Sequence, residues 1–223
     1  FSLMGMEHAV DRIFKSYIQQ EKICIYADFD LDGTSGLALL SEGLKGLGFT
    51  HIVPFQPRRI RDGYGFHKES VEELHKQDVQ LIVTVDVGIT AHEATERAQG
   101  LGIDVIITDH HLPQENLPPA YCVINPNTTQ CTSGLGYLSG VGVAFYLLRA
   151  LKRRFHEESQ KNSTFSYASQ FDLKSVLDFF TIGTLTDMVP LIEDNRILVR
   201  HGVSQFSKTQ RPGLREMLKV LNL

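Results

Sequence analysis

The sequence predicts an α/β fold: a mainly parallel open sheet flanked by helices, followed by a helical continuation. Three observations carry this expectation. Short apolar runs rich in β-formers alternate with helix-period segments up to about residue 125, the pattern of βαβ units. The runs are apolar throughout rather than alternating, as befits strands covered on both faces. After residue 137 no strand-like run remains, only helical spacing.

Each element has its own signal. Met6, Val10, Ile13, Phe14, Tyr17 and Ile18 fall at helical spacing and predict a helix over 6–19. "KICIYA" (22–27) predicts the first strand, and Leu37, Leu40, Leu44 and Leu47 form one stripe of a helix over 34–47. "HIVPF" (51–55), "QLIVTV" (80–85), "DVIIT" (104–108) and "YCVIN" (121–125) predict four further strands. Helices are expected at 67–77 and 90–100 between them, then at 138–155, 172–187, 194–207 and 212–221. "LKRR" (151–154) reads as an exposed helix end, and the polar "HEESQKNSTFSYASQ" (156–170) as a surface loop. One domain over 1–223 is expected, its α/β part about 20–135 and its helical part about 136–223.

Composition excludes several classes. With 42% apolar and 22% charged residues, the 223-residue chain is an ordinary globular protein with formal charge −4. An acidic total means that any basic surface must be local. Cys24, Cys122 and Cys131 lack zinc-type spacing, and Cys24 and Cys122 sit in apolar runs as expected of buried thiols. Without a disulfide framework a reducing cytoplasm is the expectation. No apolar run approaches the roughly 20 residues that a membrane helix needs, nothing reads as a signal peptide, and no membrane association is expected. The chain opens on Phe1 rather than Met, so a fragment of something longer is expected.

The chemistry concentrates at strand ends. "IYADFDLDGTSG" (25–36) places Asp28, Asp30 and Asp32 close together, a cluster whose self-repulsion asks for a cation. A calcium loop fits Asp28, Asp30, Asp32 and Gly33, but its twelfth position is Leu39 instead of Glu, and a strand precedes it instead of a helix. A haloacid-dehalogenase-type phosphatase fits "FDLDGT", with Asp30 as nucleophile and Asp32 as acid/base; the later acidic pair that family needs is missing. The third reading uses the other strands: "LIVTV" runs into Asp86, and "DVIIT" into Asp109, His110 and His111. In an open parallel sheet these ends share one crevice, where ligands bind. Carboxylates plus imidazole suit hard divalent metals, and two such ions about 3.5–4 Å apart suit phosphoester hydrolysis. Taken alone, an Asp after a strand is more often a helix cap, and Asp86 could cap the helix at 90. The conjunction of three motifs favours the metal reading.

With these motifs the sequence resembles the DHH phosphoesterase superfamily, and within it the RecJ-type single-strand exonucleases. "DFDLDG", "TVDVGIT" and "TDHHLP" are similar to its first three motifs, and "TIGTLTDMVPL" (181–191) to its fourth. "RRIRDGYGFH" (58–67) and "LSGVGVAFYLLRAL" (138–151) also resemble RecJ segments. The resemblance implies two divalent metal ions, Mn²⁺ preferred and Mg²⁺ as the alternative. Asp28 and Asp30 would serve one ion, Asp32, His110 and Asp187 the other, and Asp86 both. His111 would face the scissile phosphate, and Asp109 would orient a histidine. Where related families carry a His, this chain has Tyr26. The implied activity is 5′-to-3′ hydrolysis of single-stranded DNA to mononucleotides, in DNA repair and recombination. Arg59 and Tyr64 are candidate substrate contacts read from the residues themselves: Arg58, Arg59 and Arg61 form a basic run beside Tyr64 and Phe66, the usual phosphate and base-stacking devices, with a solvated loop as the equal alternative. Single-strand-binding protein and helicase are the implied protein partners. The family's DHH-associated and oligonucleotide-binding domains are expected to be absent from this chain. Another DHH phosphoesterase, acting on nano-RNA, cyclic dinucleotides or pyrophosphate, is the alternative; a non-catalytic scaffold should have lost ligands, and here every motif is intact.

Overall fold

The computed structural model describes residues 2–206 and 208–222. Five strands, β1 (Ile23–Ala27), β2 (Ile52–Phe55), β3 (Leu81–Val85), β4 (Asp104–Thr108) and β5 (Cys122–Ile124), form one all-parallel sheet in the order β2-β1-β3-β4-β5. β1 and β3 are buried along their whole length. Strand parity then sorts side chains between two cores. Ile23, Ile25, Leu81, Val83 and Ile106 enter the larger one. Cys24, Tyr26, Ile82, Val105 and Ile107 enter the smaller.

Helices α1 (Met6–Gln19) and α2 (Leu31–Gly46) cover the larger-core face; α3 (Lys68–His75) and α4 (His92–Gly100) cover the other. The chain therefore winds outward from β1 to β2 over one face and returns to β3, on the other side of β1, over the opposite face. The switch lies between β1 and β3, and the crevice outside their carboxyl ends is where such sheets bind ligands. Leu39, Leu40, Leu44 and Leu47 along α2 are fully buried; truncating one to Ala costs about 2–5 kcal/mol.

α2 starts three residues earlier than periodicity suggests, because the Asp30 side chain caps it by accepting from Gly33 N–H. The helical continuation comprises α5 (Gly140–Ser159), the single turn α6 (Ser166–Ser169), α7 (Leu177–Thr186), α8 (Glu193–Phe206) and α9 (Pro212–Val220). Among the described residues it has no strand. It shares the larger core through Val141, Leu148, Phe155 and Phe180. The helix expected over 194–207 has its last residue, Ser207, outside the described residues.

Two expectations fail here. "LKRR" is not a helix end: α5 runs on to Ser159, carried by the Arg153–Glu157 and Arg154–Glu158 pairs one turn apart. Arg154 also reaches Asp11 at 2.6 Å and lies over the Phe14 ring. Nor is 156–170 simply a surface loop. Its start is helical, and Phe165 packs against Phe14 and Phe155 at centroid distances of 5.6 and 6.2 Å. The polar residues around Phe165 hid this anchor from a composition-based reading.

Candidate metal centre

Asp28, Asp86 and Asp109 are the residues immediately after β1, β3 and β4. Register brings them together. Ala27 pairs with Val85 and Val85 with Thr108. The ladder continues one step beyond: Asp28 N–H donates to Val85 O at 3.2 Å, Asp86 N–H to Thr108 O at 3.0 Å, and Asp109 N–H to Ile124 O at 3.2 Å. Neighbouring strands lie about 4.8 Å apart, so the three carboxylates converge. Asp86 sits in the left-handed region, at φ 61°, which is strained for a non-glycine residue. Gly140 makes room for it, since a Cβ there would lie 2.4 Å from the Asp86 Cβ. Asp86 does not cap α4, whose N-cap is Ala91 without a side-chain bond.

Asp32 lies in the first turn of α2 and reaches across to α5. Its oxygens accept from Gly140 N–H at 2.6 Å and Val141 N–H at 3.0 Å. The positive end of the α5 dipole thus holds a carboxylate. Asp187 ends α7 as its C-cap, and Met188 at φ 58° turns the chain away directly afterwards. Gly183, one turn earlier, passes so close that a Cβ would lie 2.6 Å from Asp32 Oδ1.

His110 Nε2 lies 3.1 Å from Asp86 Oδ1 and 3.6 Å from Asp187 Oδ2. Neither approach is a formed hydrogen bond: among the described residues all three buried atoms lack a hydrogen-bond partner, as does Asp28 Oδ1. Asp28, Asp30 and Asp86 can bring ligand atoms within 4.8 Å of one another; so can Asp32, His110 and Asp187, and so can Asp86, His110 and His111. Asp109 is buried. It accepts from the amides of Ile89, His110 and His111 at 3.0, 2.7 and 3.1 Å, and its Oδ1 lies 2.7 Å from His111 Nδ1.

The electrostatics of the two histidine partners differ. Burial, then the charges of Asp32, Asp30 and Asp109, holds Asp86 well above the ordinary carboxylate range. Burial also raises Asp32, Asp28 and Asp187. Burial pushes Asp109 upward too, yet the His111 hydrogen bond and charge and the Ile89 amide leave it lowered overall. The Asp109 hydrogen bond in turn raises His111 and keeps its imidazole charged through neutral pH.

Comparison with known proteins gives this geometry a family. Residues 22–184 match the model of the DHH family, N-terminal domain. The chain belongs to the DHH family. Among DHH relatives, the single-stranded-DNA-specific exonuclease RecJ of Escherichia coli (strain K12) is 40% identical over 224 residues, covering 99% of this chain and 38% of that protein. The protein of that name from Bacillus subtilis (strain 168) is 36% identical over 220 residues, covering 99% of this chain and 26% of that one. A crystal structure of exonuclease RecJ bound to manganese matches with a TM-score of 0.83 at 32% identity, over 99% of this chain and 52% of that chain. RecJ from Thermus thermophilus, in complex with Mn²⁺, matches with a TM-score of 0.79 at 31% identity, over 99% of this chain and 30% of that chain. This DHH chain spans under two-fifths of the length of the curated relatives it matches.

At the mouth of the DHH site, Arg59 lies over the Phe29 ring at 5.2 Å, Phe29 meets Tyr64 edge-on at 6.5 Å, and Tyr64 meets His111 at 6.2 Å. Tyr64 is exposed, but Phe66 is buried against Tyr26. The expectation for Phe66 is therefore corrected: with its neighbour Tyr64 facing out, it faces the smaller core. Arg61 is paired with Asp62 at 2.6 Å, whereas the exposed Arg58 and Arg59 side chains form no ion pair among the described residues. Sequence reading missed Phe29, and also Gln56, whose Nε2 donates to Asp28 O at 2.5 Å and to Thr34 Oγ1 at 2.8 Å. Phe29 had a local signal, lying between two motif aspartates; Gln56 had none.

Proposed function

We propose that this chain hydrolyses phosphodiesters with two divalent ions, Mn²⁺ or Mg²⁺, and that its substrate is single-stranded DNA, degraded from the 5′ end to mononucleotides. One observation carries the metal reading. Four buried atoms without a hydrogen-bond partner among the described residues, Asp28 Oδ1, Asp86 Oδ1, His110 Nε2 and Asp187 Oδ2, belong to ligand groups linked through Asp86 and His110. Buried polar atoms are nearly always partnered, and a cation is the partner that suits this donor set. Asp28, Asp30 and Asp86 would hold one ion, and Asp32, His110 and Asp187 the other, with Asp86 between them. Bound there, the ions supply positive charge to phosphate oxygens and make water acidic enough to ionise near neutral pH.

The chain's own residues do the rest. With Nδ1 engaged by Asp109, His111 has Nε2 left to donate to the charge that develops on the phosphate. Asp109 keeps that imidazole charged and fixes its orientation. Arg59 would meet a backbone phosphate, and Tyr64 with Phe29 would stack on bases. The DNA substrate is supported by the relatives, which are single-stranded-DNA-specific exonucleases, and by this basic, aromatic rim. Protein partners, single-strand-binding protein and helicase, rest on the family alone.

The test is one assay with three substrates in Mn²⁺: a 5′-labelled single strand, a 3′-labelled single strand and a short di-ribonucleotide. The proposal expects the 5′ label to appear first as a mononucleotide while the 3′-labelled strand shortens gradually. Cleavage of the di-ribonucleotide alone would move the substrate to short RNA. No cleavage of any of the three would overturn the activity.

A further inference from the structure

The two histidines are held from behind by a turn that the metal reading does not use. β5 leads into Asn125, Pro126 and Asn127. Asn125 Nδ2 donates to the His111 carbonyl at 2.9 Å, and Asn127 Nδ2 donates to the His110 carbonyl at 2.5 Å. The turn is itself locked: Asn125 Oδ1 accepts from Asn127 N–H at 2.8 Å, and the Asn125 carbonyl accepts from the Thr128 hydroxyl at 3.1 Å. Asn125 is 1% exposed. On the other side, Asp109 Oδ1 takes the amides of both histidines. All four main-chain polar groups of His110 and His111 are therefore satisfied by side chains from outside the pair.

The ladder ends at Asp109, so nothing in the sheet fixes the next two peptide planes. Side-chain direction follows from those planes. An imidazole must be placed within a few tenths of an ångström to ligate or to donate in a transition state.

We propose that Asn125 and Asn127 are separate positioning residues for the two histidines. Asn127 sets His110 for the metal, and Asn125 sets His111 for the phosphate. The inference rests on the metal reading given above. Each would act through the histidine carbonyl it binds.

Asn127→Ala and Asn125→Ala test it, with Asn125→Ser as the milder replacement at the buried position. Calorimetric titration with MnCl₂ is expected to show Asn127→Ala weakening one Mn²⁺ site about tenfold, the lower range for a group that orients a ligand, with added Mn²⁺ recovering turnover. The Asn125 variants are expected to lose about tenfold in turnover at saturating Mn²⁺, with a smaller loss of Mn²⁺ affinity than Asn127→Ala shows, because Asn125 also holds the Asn127 amide. In the metal-free chain, the ¹⁵N imidazole signals of His111 should shift or broaden in the Asn125 variants and stay put in Asn127→Ala. A lower melting temperature with unchanged Mn²⁺ affinities and unchanged imidazole signals would make both residues structural and overturn the inference. Effects exchanged between the two asparagines would overturn the division of roles. If the wild type takes up no Mn²⁺, the metal reading falls and this inference with it; if only the variants behave like wild type, the inference alone falls.

Discussion

The two edges of the sheet treat acidic residues in opposite ways. At the amino edge, Glu21 precedes β1 and Asp104 opens β4. Both are met by the buried Arg12, at 2.6 Å in each case, whose guanidinium also donates to Ser16 Oγ. At the carboxyl edge, Asp28, Asp30, Asp32, Asp86 and Asp187 gather with no Lys or Arg partner among the described residues. One cluster carries its own cation and is complete as folded. The other has no Lys or Arg among the described residues, only the His111 imidazole beside it, and its Asp28, Asp32, Asp86 and Asp187 carboxyls are raised in pKa by burial and by neighbouring carboxylates. The same fold, over one strand length, thus builds a structural ion cluster and a site that calls for an exogenous ion. What separates them is a single helix residue, Arg12 on α1, pointing at the amino edge.

The largest expected effect comes from Asp86. Asp86→Ala should bring hydrolysis below detection, because the residue stands between both ligand groups. It should also raise the melting temperature of the metal-free chain, since it removes a buried carboxylate held above its ordinary pKa. A variant that stays active, or wild-type activity that survives exhaustive EDTA treatment, would erase the contrast between the edges.

Arg12→Leu is the complementary break at the other edge. Leaving Glu21 and Asp104 without their cation should cost roughly 3 kcal/mol, the low end for a broken buried pair because Asp104 is 42% exposed. Chemical denaturation measures the cost. Mn²⁺ affinity should not change; a parallel loss would mean that the edges are coupled.

The histidines sharpen the picture within the carboxyl edge. His111→Ala should lower kcat by roughly 10²–10³-fold, as for removal of an oxyanion-type donor, and extra Mn²⁺ should not rescue it. His110→Ala should lose Mn²⁺ affinity, and extra Mn²⁺ should recover part of the activity. Turnover at several Mn²⁺ concentrations decides this, and the reverse pattern would exchange the two roles.

The smallest effect is a pH dependence. Asp28, Asp32, Asp86 and Asp187 have folded pKa values raised above the ordinary one. The folded chain therefore binds protons more tightly than the unfolded chain. The contribution of these groups is full below about pH 4 and is lost as pH rises through the raised values. The metal-free melting temperature should fall over that window, and Mn²⁺ should flatten the fall. Asp109 works in the other direction: its lowered pKa contributes above the ordinary carboxylate value and is lost on acidification. Titration calorimetry in buffers of different ionisation enthalpy should show protons released as Mn²⁺ binds. Binding without proton release would contradict the raised carboxylates.

The sequence by itself determined the parallel sheet and the positions of the acidic residues at its carboxyl edge, because both are local. A short apolar run makes a doubly covered strand, and the residue just after it lands at the carboxyl edge whatever the partner strand. Asp28, Asp86 and Asp109 were legible for that reason, and parallel register aligns them once the strands pair. The tertiary structure alone decided which polar groups meet. Asp32 is held by amides more than a hundred residues further along. Asp187 reaches the site only because α7 packs on α2, and the asparagines of the β5 turn find the two histidine carbonyls only once β5 has paired with β4. Phe66 is buried while Tyr64, two residues earlier, is exposed. Spacing along a chain sets the period and face of an element, but hydrogen-bond and ion partners are chosen by long-range closure, which no local pattern encodes.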